Sequence, residues 1–427
     1  MAPEIRPQTR EPAILSGRPL FVVGDAHLHA RAEPEIAADL QRLVQAISAR
    51  HPDACVVFNG DAFDLDRVDG ERAWGVGEQC AAERVGRVLD AFPALASTLR
   101  KHVDDGGALL FIAGNHDAEI LLPAVQQKLR ERLDPRPDSG RVVAAETMAA
   151  ASVFMKHGHQ ADPDSSFFPD TRNAVEKGRL SAMPLASLMT RLFVSSNPRY
   201  HSAGYHQRPP LPVLVGVLKD YKLAGLAMVV HFPIVALRIA WQSVLARVRG
   251  DVPRGHASSS MASPWSVIRR LYLDRYLGTC LAAVLLALTL ADRIGHWGWW
   301  LLAATCLYLL IPPPRRRVFL ERDIRQCAAE AAALVDRGMR VVVMGHTHRA
   351  FVTRLGEAIY ANHGAFSFPV EIDGQGRVCG DGRPAGPRVG VTRRARPYLS
   401  IPVDAASCEL CTLQPAANPG ETGLDAP

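Results

Sequence analysis

The sequence predicts an α/β fold of parallel strands interrupted by a large apolar helical insertion, and three observations lead there. Apolar runs of four or five residues alternate with stretches of helical periodicity. Five of these runs are followed within three residues by Asp, Asn or His. Between the fourth and fifth lies a long segment much richer in apolar residues than its surroundings.

The first run, Pro19-Leu20-Phe21-Val22-Val23, passes into Gly24-Asp25-Ala26-His27-Leu28-His29. Helical spacing over residues 36–47 leads to Cys55-Val56-Val57-Phe58 and then Asn59-Gly60-Asp61. A helix over residues 81–99 precedes Ala108-Leu109-Leu110-Phe111-Ile112, which ends in Gly114-Asn115-His116-Asp117. The fourth run, Ala151-Ser152-Val153-Phe154-Met155, ends in Lys156-His157-Gly158-His159. The fifth, Arg340-Val341-Val342-Val343-Met344, ends in Gly345-His346-Thr347-His348. Strand, helix, strand repeats make parallel strands whose C-terminal ends face one way, so these groups gather on one edge. Carboxylates, a carboxamide and imidazoles converging there form a donor set for divalent metals such as zinc, manganese or iron.

A chain of 427 residues with 48% hydrophobic content has room for two or three domains and a sizeable core. The formal charge of +6 is compatible with an anionic membrane surface or a phosphorylated substrate. Basic residues are not interleaved with aromatics, so no nucleic-acid partner is expected. The eight cysteines are scattered, and Cys408 and Cys411 lack the second pair of a structural zinc site. Residues 1–18 have no apolar core of a signal peptide, so the expected compartment is the cytoplasm.

Asp-x-His, Gly-Asp, Gly-Asn-His-Asp, His-Gly-His and Gly-His-Thr-His, in this order, resemble the calcineurin-like metallophosphoesterase superfamily. The resemblance covers two blocks, about residues 18–165 and 320–415. It implies a four-layer α/β/β/α sandwich, two divalent metal ions (Mn, Fe or Zn) and hydrolysis of a phosphoester. By motif, Asp25, His27 and His348 would hold one metal and Asn115, His157 and His346 the other, with Asp61 bridging them. An anionic bridge suits two neighbouring dications, and Asn115 adds a neutral oxygen that moderates the charge. His116, hydrogen-bonded to Asp117, would be catalytic, protonating the leaving oxygen. His29 and His159 are expected to support the ligands or to face solvent.

Within the insertion, residues 211–245 are apolar but carry Lys219, Asp220, Lys222, His231, Pro233 and Arg238. Residues 277–291 and 297–311 form two apolar runs of about fifteen residues joined by Asp292-Arg293-Ile294-Gly295-His296. Trp297, Trp299 and Trp300 resemble an interfacial belt, and arginines flank both ends: Arg269, Arg270 and Arg275 before, Arg315, Arg316 and Arg317 after. His157 and His346 must reach one metal, so membrane crossings between them must be even in number. A hairpin over 277–311 on the cytoplasmic face of a membrane meets that rule, with 211–245 as an interfacial or lid helix. The alternative is a soluble helical cap.

The expected organisation is therefore a flexible N-terminus (1–17), a first metallophosphoesterase part (18–165), a helical, membrane-associated insertion (166–319), a second part (320–413) and a disordered tail (414–427). Asp61-Ala62-Phe63-Asp64 together with the insertion resembles the UDP-2,3-diacylglucosamine hydrolases, which act on lipid pyrophosphates. This chain departs from them in having His116 after the asparagine and in its longer insertion. The substrate expected is a phosphomonoester, phosphodiester or pyrophosphate, possibly lipid-linked, at a membrane surface. A soluble protein or nucleotide phosphatase and a non-catalytic scaffold of the same fold remain as alternatives.

Overall fold

In a strand buried on both faces, alternate side chains enter two different cores, and Cys55-Val56-Val57-Phe58 shows this directly. Cys55 and Val57 join one apolar cluster, whereas Val56 and Phe58 join another. The computed structural model describes residues 14–30, 34–68, 77–136, 139–150, 152–167, 171, 175, 183–197, 210–248, 264–271, 273–310, 317–373, 377–379, 393–405 and 407–413. The expected tail, 414–427, lies outside these residues.

The strands are Leu20–Val23 (β1), Cys55–Asn59 (β2), Ala108–Ile112 (β3), Val142–Ala145 (β4), Thr147–Ala150 (β5), Val153–Lys156 (β6), Val341–Met344 (β7), Ala350–Leu355 (β8), Ala358–His363 (β9), Val370–Ile372 (β10), Arg393–Ile401 (β11) and Glu409–Leu413 (β12). One sheet runs β10-β11-β1-β2-β3-β4 with β12 on β11; the other runs β5-β6-β7-β9-β8. Strands β1 to β4 are mutually parallel, as are β6, β7 and β9. Both sheets mix strands from before and after the insertion. Register is set by apolar pairs such as Val57 beside Leu110 and Met155 beside Val343.

The helices before the insertion are Pro34–Arg50 (α1), Glu78–Ala91 (α2), Pro93–Asp104 (α3) and Pro123–Leu133 (α4). Their apolar faces, with Leu40, Val85, Leu99 and Leu129, cover the outer side of the first sheet. In α1 the buried residues Ile36, Leu40, Leu43, Val44 and Ile47 recur at helical spacing. The inner sides of the two sheets meet through Val22, Val57, Leu110, Met155 and Val343. On the outer side of the second sheet, the later helix Arg317–Val335 places Cys327, Ala331 and Leu334 against Phe154, Val342 and Met344. The layers are thus α/β/β/α, the architecture that the resemblance implies.

Three boundaries differ from the sequence reading. The single helix expected over 81–99 is two, because Pro93 has no N–H to continue the first and its fixed φ suits the first turn of the second. Ile14 and Leu15, within the terminus expected to be flexible, are buried in the inter-sheet core. The fourth strand begins at Val153, and residue 151 lies outside the described residues.

After β6, Leu185–Met189 (α5) and a π-helical turn, Thr190–Val194, lead into Pro210–Val248 (α6), which kinks at Lys222. Pro264–Arg270 (α7), Leu273–Leu290 (α8) and Trp297–Leu310 (α9) follow, and Arg317–Val335 is α10. Leu188, Leu192 and Phe193 pack against Met228, Val235, Ala236 and Ile239 of α6. The segment between β6 and β7 therefore has a core of its own.

Candidate metal centre

Each sheet-edge turn begins at a strand end and is stitched to its neighbours. The Asp25 and His27 N–H groups donate to the carbonyls of Gly60 and Asp61, both at 2.9 Å, and the Gly345 N–H donates to the His157 carbonyl at 2.7 Å. Asp25, His27, Asp61, His346 and His348 all have φ between 50° and 64°, five of the eight non-glycine residues with positive φ among those described. That conformation costs about 1–2 kcal/mol per residue, and persists where surrounding structure imposes it, as functional sites often do. The motif glycines make room for these side chains. A Cβ on Gly114 would fall 2.0 Å from Asp61 Oδ1, and one on Gly60, itself at φ +87°, would fall 2.1 Å from His157 Nδ1.

Three imidazole nitrogens converge on one oxygen of buried Asp25. His348 Nε2 lies 3.0 Å from Oδ1, His27 Nε2 3.8 Å and His157 Nε2 4.0 Å. The other oxygen accepts the His346 N–H at 3.3 Å. Asp61 Oδ2 is 3.3 Å from His157 Nε2, and its Oδ1 accepts the His116 N–H at 2.8 Å. Donor atoms of Asp25, His27 and His348 lie within 4.8 Å of one another, as do those of Asp25, Asp61 and His157. Asn115 is buried beside them, its backbone carbonyl accepting from Ser187 Oγ at 3.1 Å. The ring of His346 stands edge-on to His157 with centroids 5.3 Å apart. All seven residues expected to be ligands thus lie in one region, drawn from both sides of the insertion.

The donor set fits divalent ions on two further observations. Asn115 Oδ1 is buried without a hydrogen-bond partner, an arrangement that is costly unless something else satisfies it. Hydrogen bonds also select the tautomer. His157 Nδ1 donates to the Asn59 carbonyl at 3.1 Å, leaving Nε2 as the lone-pair nitrogen on the Asp61 side. His346 Nε2 is held by Asp162 Oδ2 at 3.3 Å, leaving Nδ1 as its lone-pair nitrogen.

Charge follows the same pattern. Burial would raise Asp25 and Asp61, but His157, with His348 on the first and His116 on the second, outweighs it and holds both carboxyls below their ordinary values. Burial disfavours the charged form of His157, yet Asp61 and Asp25 bring it up to about 9. Burial dominates at His27, which falls to about 4. A ligand imidazole must be neutral, so below pH 9 an incoming ion displaces a proton from His157. Affinity for Mn²⁺ should therefore rise with pH, by about tenfold per unit for one displaced proton, until about pH 9. Competition titrations of the ion-free protein between pH 6.5 and 8.5 would show this, and a flat profile would contradict it.

The pairing expected between His116 and Asp117 is not present. Asp117 turns away from the imidazole and accepts backbone N–H groups from Gly114 at 2.7 Å, Phe63 at 3.2 Å and Asp61 at 3.3 Å. Those bonds tie the strand-end turns after β2 and β3 together. Burial and then the nearby Asp61 charge push Asp117 up to about 7. Instead, His116 Nδ1 faces Asp66 Oδ2 at 3.2 Å and Asp64 Oδ1 at 3.3 Å. Burial disfavours charge on His116, but Asp61 and Asp64 outweigh it and hold its pKa well above the ordinary value. These carboxylates thus favour its protonated form.

His29 and His159 are both buried, which removes the solvent-facing option for each. Sequence reading also passed over several residues that shape the centre. His363, at the end of β9, is fully buried with Nδ1 3.9 Å from Asp25 Oδ2. Burial pushes it down to about 4, so it is neutral beneath the site. Asn362 Nδ2 donates to the Gly345 carbonyl and to Thr347 Oγ1, both at 3.0 Å, which fixes the His-x-His turn.

Residues 18–205 match the family model described as calcineurin-like phosphoesterase. The match runs past residue 165, takes in α5 and the π-helical turn, and ends before β7. No curated protein matches the chain. Among solved structures, a mutant of a cold-active protein tyrosine phosphatase matches at 12% identity over 93% of this chain and 80% of that chain, with a TM-score of 0.25. A likeness this low carries no argument about fold or activity.

Proposed function

We propose that this chain, whose residues 18–205 match the calcineurin-like phosphoesterase model, is a metal-dependent phosphoester hydrolase that works with two divalent ions on a membrane-associated phosphomonoester, phosphodiester or pyrophosphate. One observation supports the site assignment above others. Asp25 and Asp61 meet imidazoles from both segments, His348 reaching Asp25 across 323 positions of sequence. Asp25, His27 and His348 would hold one ion, Asn115, His157 and His346 the other, and Asp61 both. Bound ions would supply Lewis-acid stabilisation of the phosphoryl oxygens and make water acidic enough to attack near neutrality. The protein's own contribution to bond cleavage is His116. With Nδ1 facing two carboxylates, Nε2 is the nitrogen left to deliver a proton to the leaving oxygen.

The membrane part of the reading rests on the exposed apolar surface of the insertion. Two helices, Val215–Leu245 within α6 and α8, are long and apolar enough to cross a bilayer, while α9 is shorter. On α6 the exposed residues Leu223, Leu226, Val230, Ile234, Leu237 and Trp241 form one stripe, and the opposite face is packed in the insertion's core. That geometry suits a helix lying in the interface. The α8–α9 hairpin is exposed along most of its length, with Leu310 at 77% and Trp300 at 70%. Its 18 and 14 residues span about 27 and 21 Å against the roughly 30 Å of a bilayer core, so α8 comes close to spanning it while α9 falls short, and the pair would enter the membrane as a short hairpin. Its two ends stay on one side, as the shared centre requires. Arg269 and Arg270 precede the first helix and Arg275 lies in its first turn, whereas Arg315 and Arg316 lie outside the described residues.

Replacing residues 277–311 with a short Gly-Ser linker should move the protein to the soluble fraction while hydrolysis of a small aryl phosphate survives. Cys280 and Cys306, exposed in the structure, should resist a water-soluble thiol reagent in native vesicles and react in detergent. Full-length protein found soluble without detergent would instead favour the soluble phosphatase reading. Substrate class would come from assaying the detergent-purified enzyme with manganese against nucleotide-lipid, phospholipid and soluble phosphoesters. The resemblance of Asp61-Ala62-Phe63-Asp64 puts lipid pyrophosphates in that panel. Metal-dependent turnover of none of them would leave the scaffold reading.

A further inference from the structure

The π-helical turn at the start of the insertion carries Arg191, whose side chain is only 3% exposed. A guanidinium this deep requires carboxylate partners, and it has two. Arg191 Nε donates to Asp66 Oδ1 at 2.6 Å and Nη2 donates to Glu119 Oε1 at 3.0 Å, while Arg84 Nη1 reaches the same Glu119 oxygen at 3.2 Å. Asp66 is thus shared: Oδ1 is on Arg191, and Oδ2 is 3.2 Å from His116 Nδ1. The surrounding segment grips both catalytic loops. Ser195 Oγ donates to the Asp66 carbonyl at 3.2 Å and Ser187 Oγ to the Asn115 carbonyl at 3.1 Å. On its other side, Leu188, Leu192 and Phe193 are locked into the core shared with α6.

We propose that Arg191 is a positioning residue for the general acid, supplied by the insertion and acting through Asp66 on the His116 ring. The inference rests on the reading of His116 as proton donor. Its physical content is that one carboxylate cannot hold an imidazole in a fixed orientation unless its own second oxygen is anchored. The buried guanidinium provides that anchor through its Nε bond to Asp66 Oδ1, and is itself held in place by Glu119, which a surface lysine would not be. Loops after β2 and β3 are thereby fixed by an element outside the sheets. The insertion would then be required for catalysis even where the substrate is small and soluble, through residues 185–195 and not through the α8–α9 hairpin.

The test compares kcat, KM and bound manganese for phenyl phosphate and 4-nitrophenyl phosphate in wild type, Arg191→Met, Arg191→Lys, Asp66→Asn and His116→Ala. Loss of the anchor should lower kcat for the phenyl ester by roughly tenfold or more, and for the nitrophenyl ester by less than about threefold, because a better leaving group needs less protonation. KM and metal content should hold, and Arg191→Lys should recover part of the loss. In the His116→Ala background, Arg191→Lys and Asp66→Asn should add little, since both act through the same ring. Arg191→Met uncovers two buried carboxylates; if it does not fold, Arg191→Lys and Asp66→Asn still give the comparison. Equal loss for both esters, or losses fully additive with His116→Ala, would overturn the proposal. A leaving-group-dependent His116→Ala beside insensitive Arg191→Lys and Asp66→Asn would remove this inference alone, whereas an insensitive His116→Ala would remove the general-acid reading and the inference with it.

Discussion

Asp61→Ala should reduce turnover by roughly 1,000-fold or more and strip metal from the protein, the largest effect expected of any single substitution. Asp61 is buried, lies in the turn after β2 with a left-handed backbone, and has a neighbour at each oxygen. One faces His157 Nε2 at 3.3 Å and the other accepts the His116 N–H at 2.8 Å. Removing the carboxylate takes a negative charge from the point where two dications would meet and leaves a buried N–H without its acceptor. Asp61→Asn separates these losses, because it keeps the shape and an acceptor oxygen but not the charge. It should fold like wild type and still bind less metal. More than about a tenth of wild-type turnover in Asp61→Ala, with two ions per chain, would contradict a shared role for this residue.

His116→Ala comes next, with an expected loss of roughly 100-fold or more and unchanged metal content. The imidazole touches the centre only at its edge, its ring 5.0 Å from that of His27, while Asp64 and Asp66 occupy its Nδ1 side. Its removal should therefore spare the ligands. Esters with good leaving groups should lose least. A drop in bound metal matching the drop in rate would make His116 a ligand, and an equal loss across leaving groups would make it a structural residue.

How much of this was legible in the sequence depended on whether a signal was local. The ends of β1, β2, β3, β6 and β7 could be read because each joins a buried apolar run to a ligand-type residue within a few positions. The topology then follows from parallel strands presenting those ends on one edge. Asp117 was misread for the same local reason. It adjoins His116 in sequence, yet the turn after β3 points the two side chains apart, and the carboxylates that meet the imidazole come from the turn after β2. His363 ends an apolar strand and looks like any core histidine until its nearness to Asp25 is seen. Arg191 had no signal at all, since its partners lie 125 and 72 positions away and no spacing rule connects them. The break at Pro93 was available and missed, because two amphipathic helices in succession share one periodicity.

The insertion was legible in composition but not in boundary. A shift to apolar residues marks α6, α8 and α9, and residues 185–195 share it, but nothing in their composition shows that Ser187 and Arg191 reach the centre. Solvent exposure was decisive there. An apolar helix with one face packed and one bare, as α6 is, cannot be told from a fully buried one by its residues alone.

The central claim is that residues from both sides of the insertion hold two divalent ions on which hydrolysis depends. Elemental analysis by mass spectrometry of the purified full-length protein, read beside its aryl phosphatase activity before chelation, after chelation and after manganese is restored, tests it most directly. Two ions per chain, activity lost on chelation and recovered as the second ion returns are the predicted results. One ion or none per chain in a protein with undiminished turnover would contradict it.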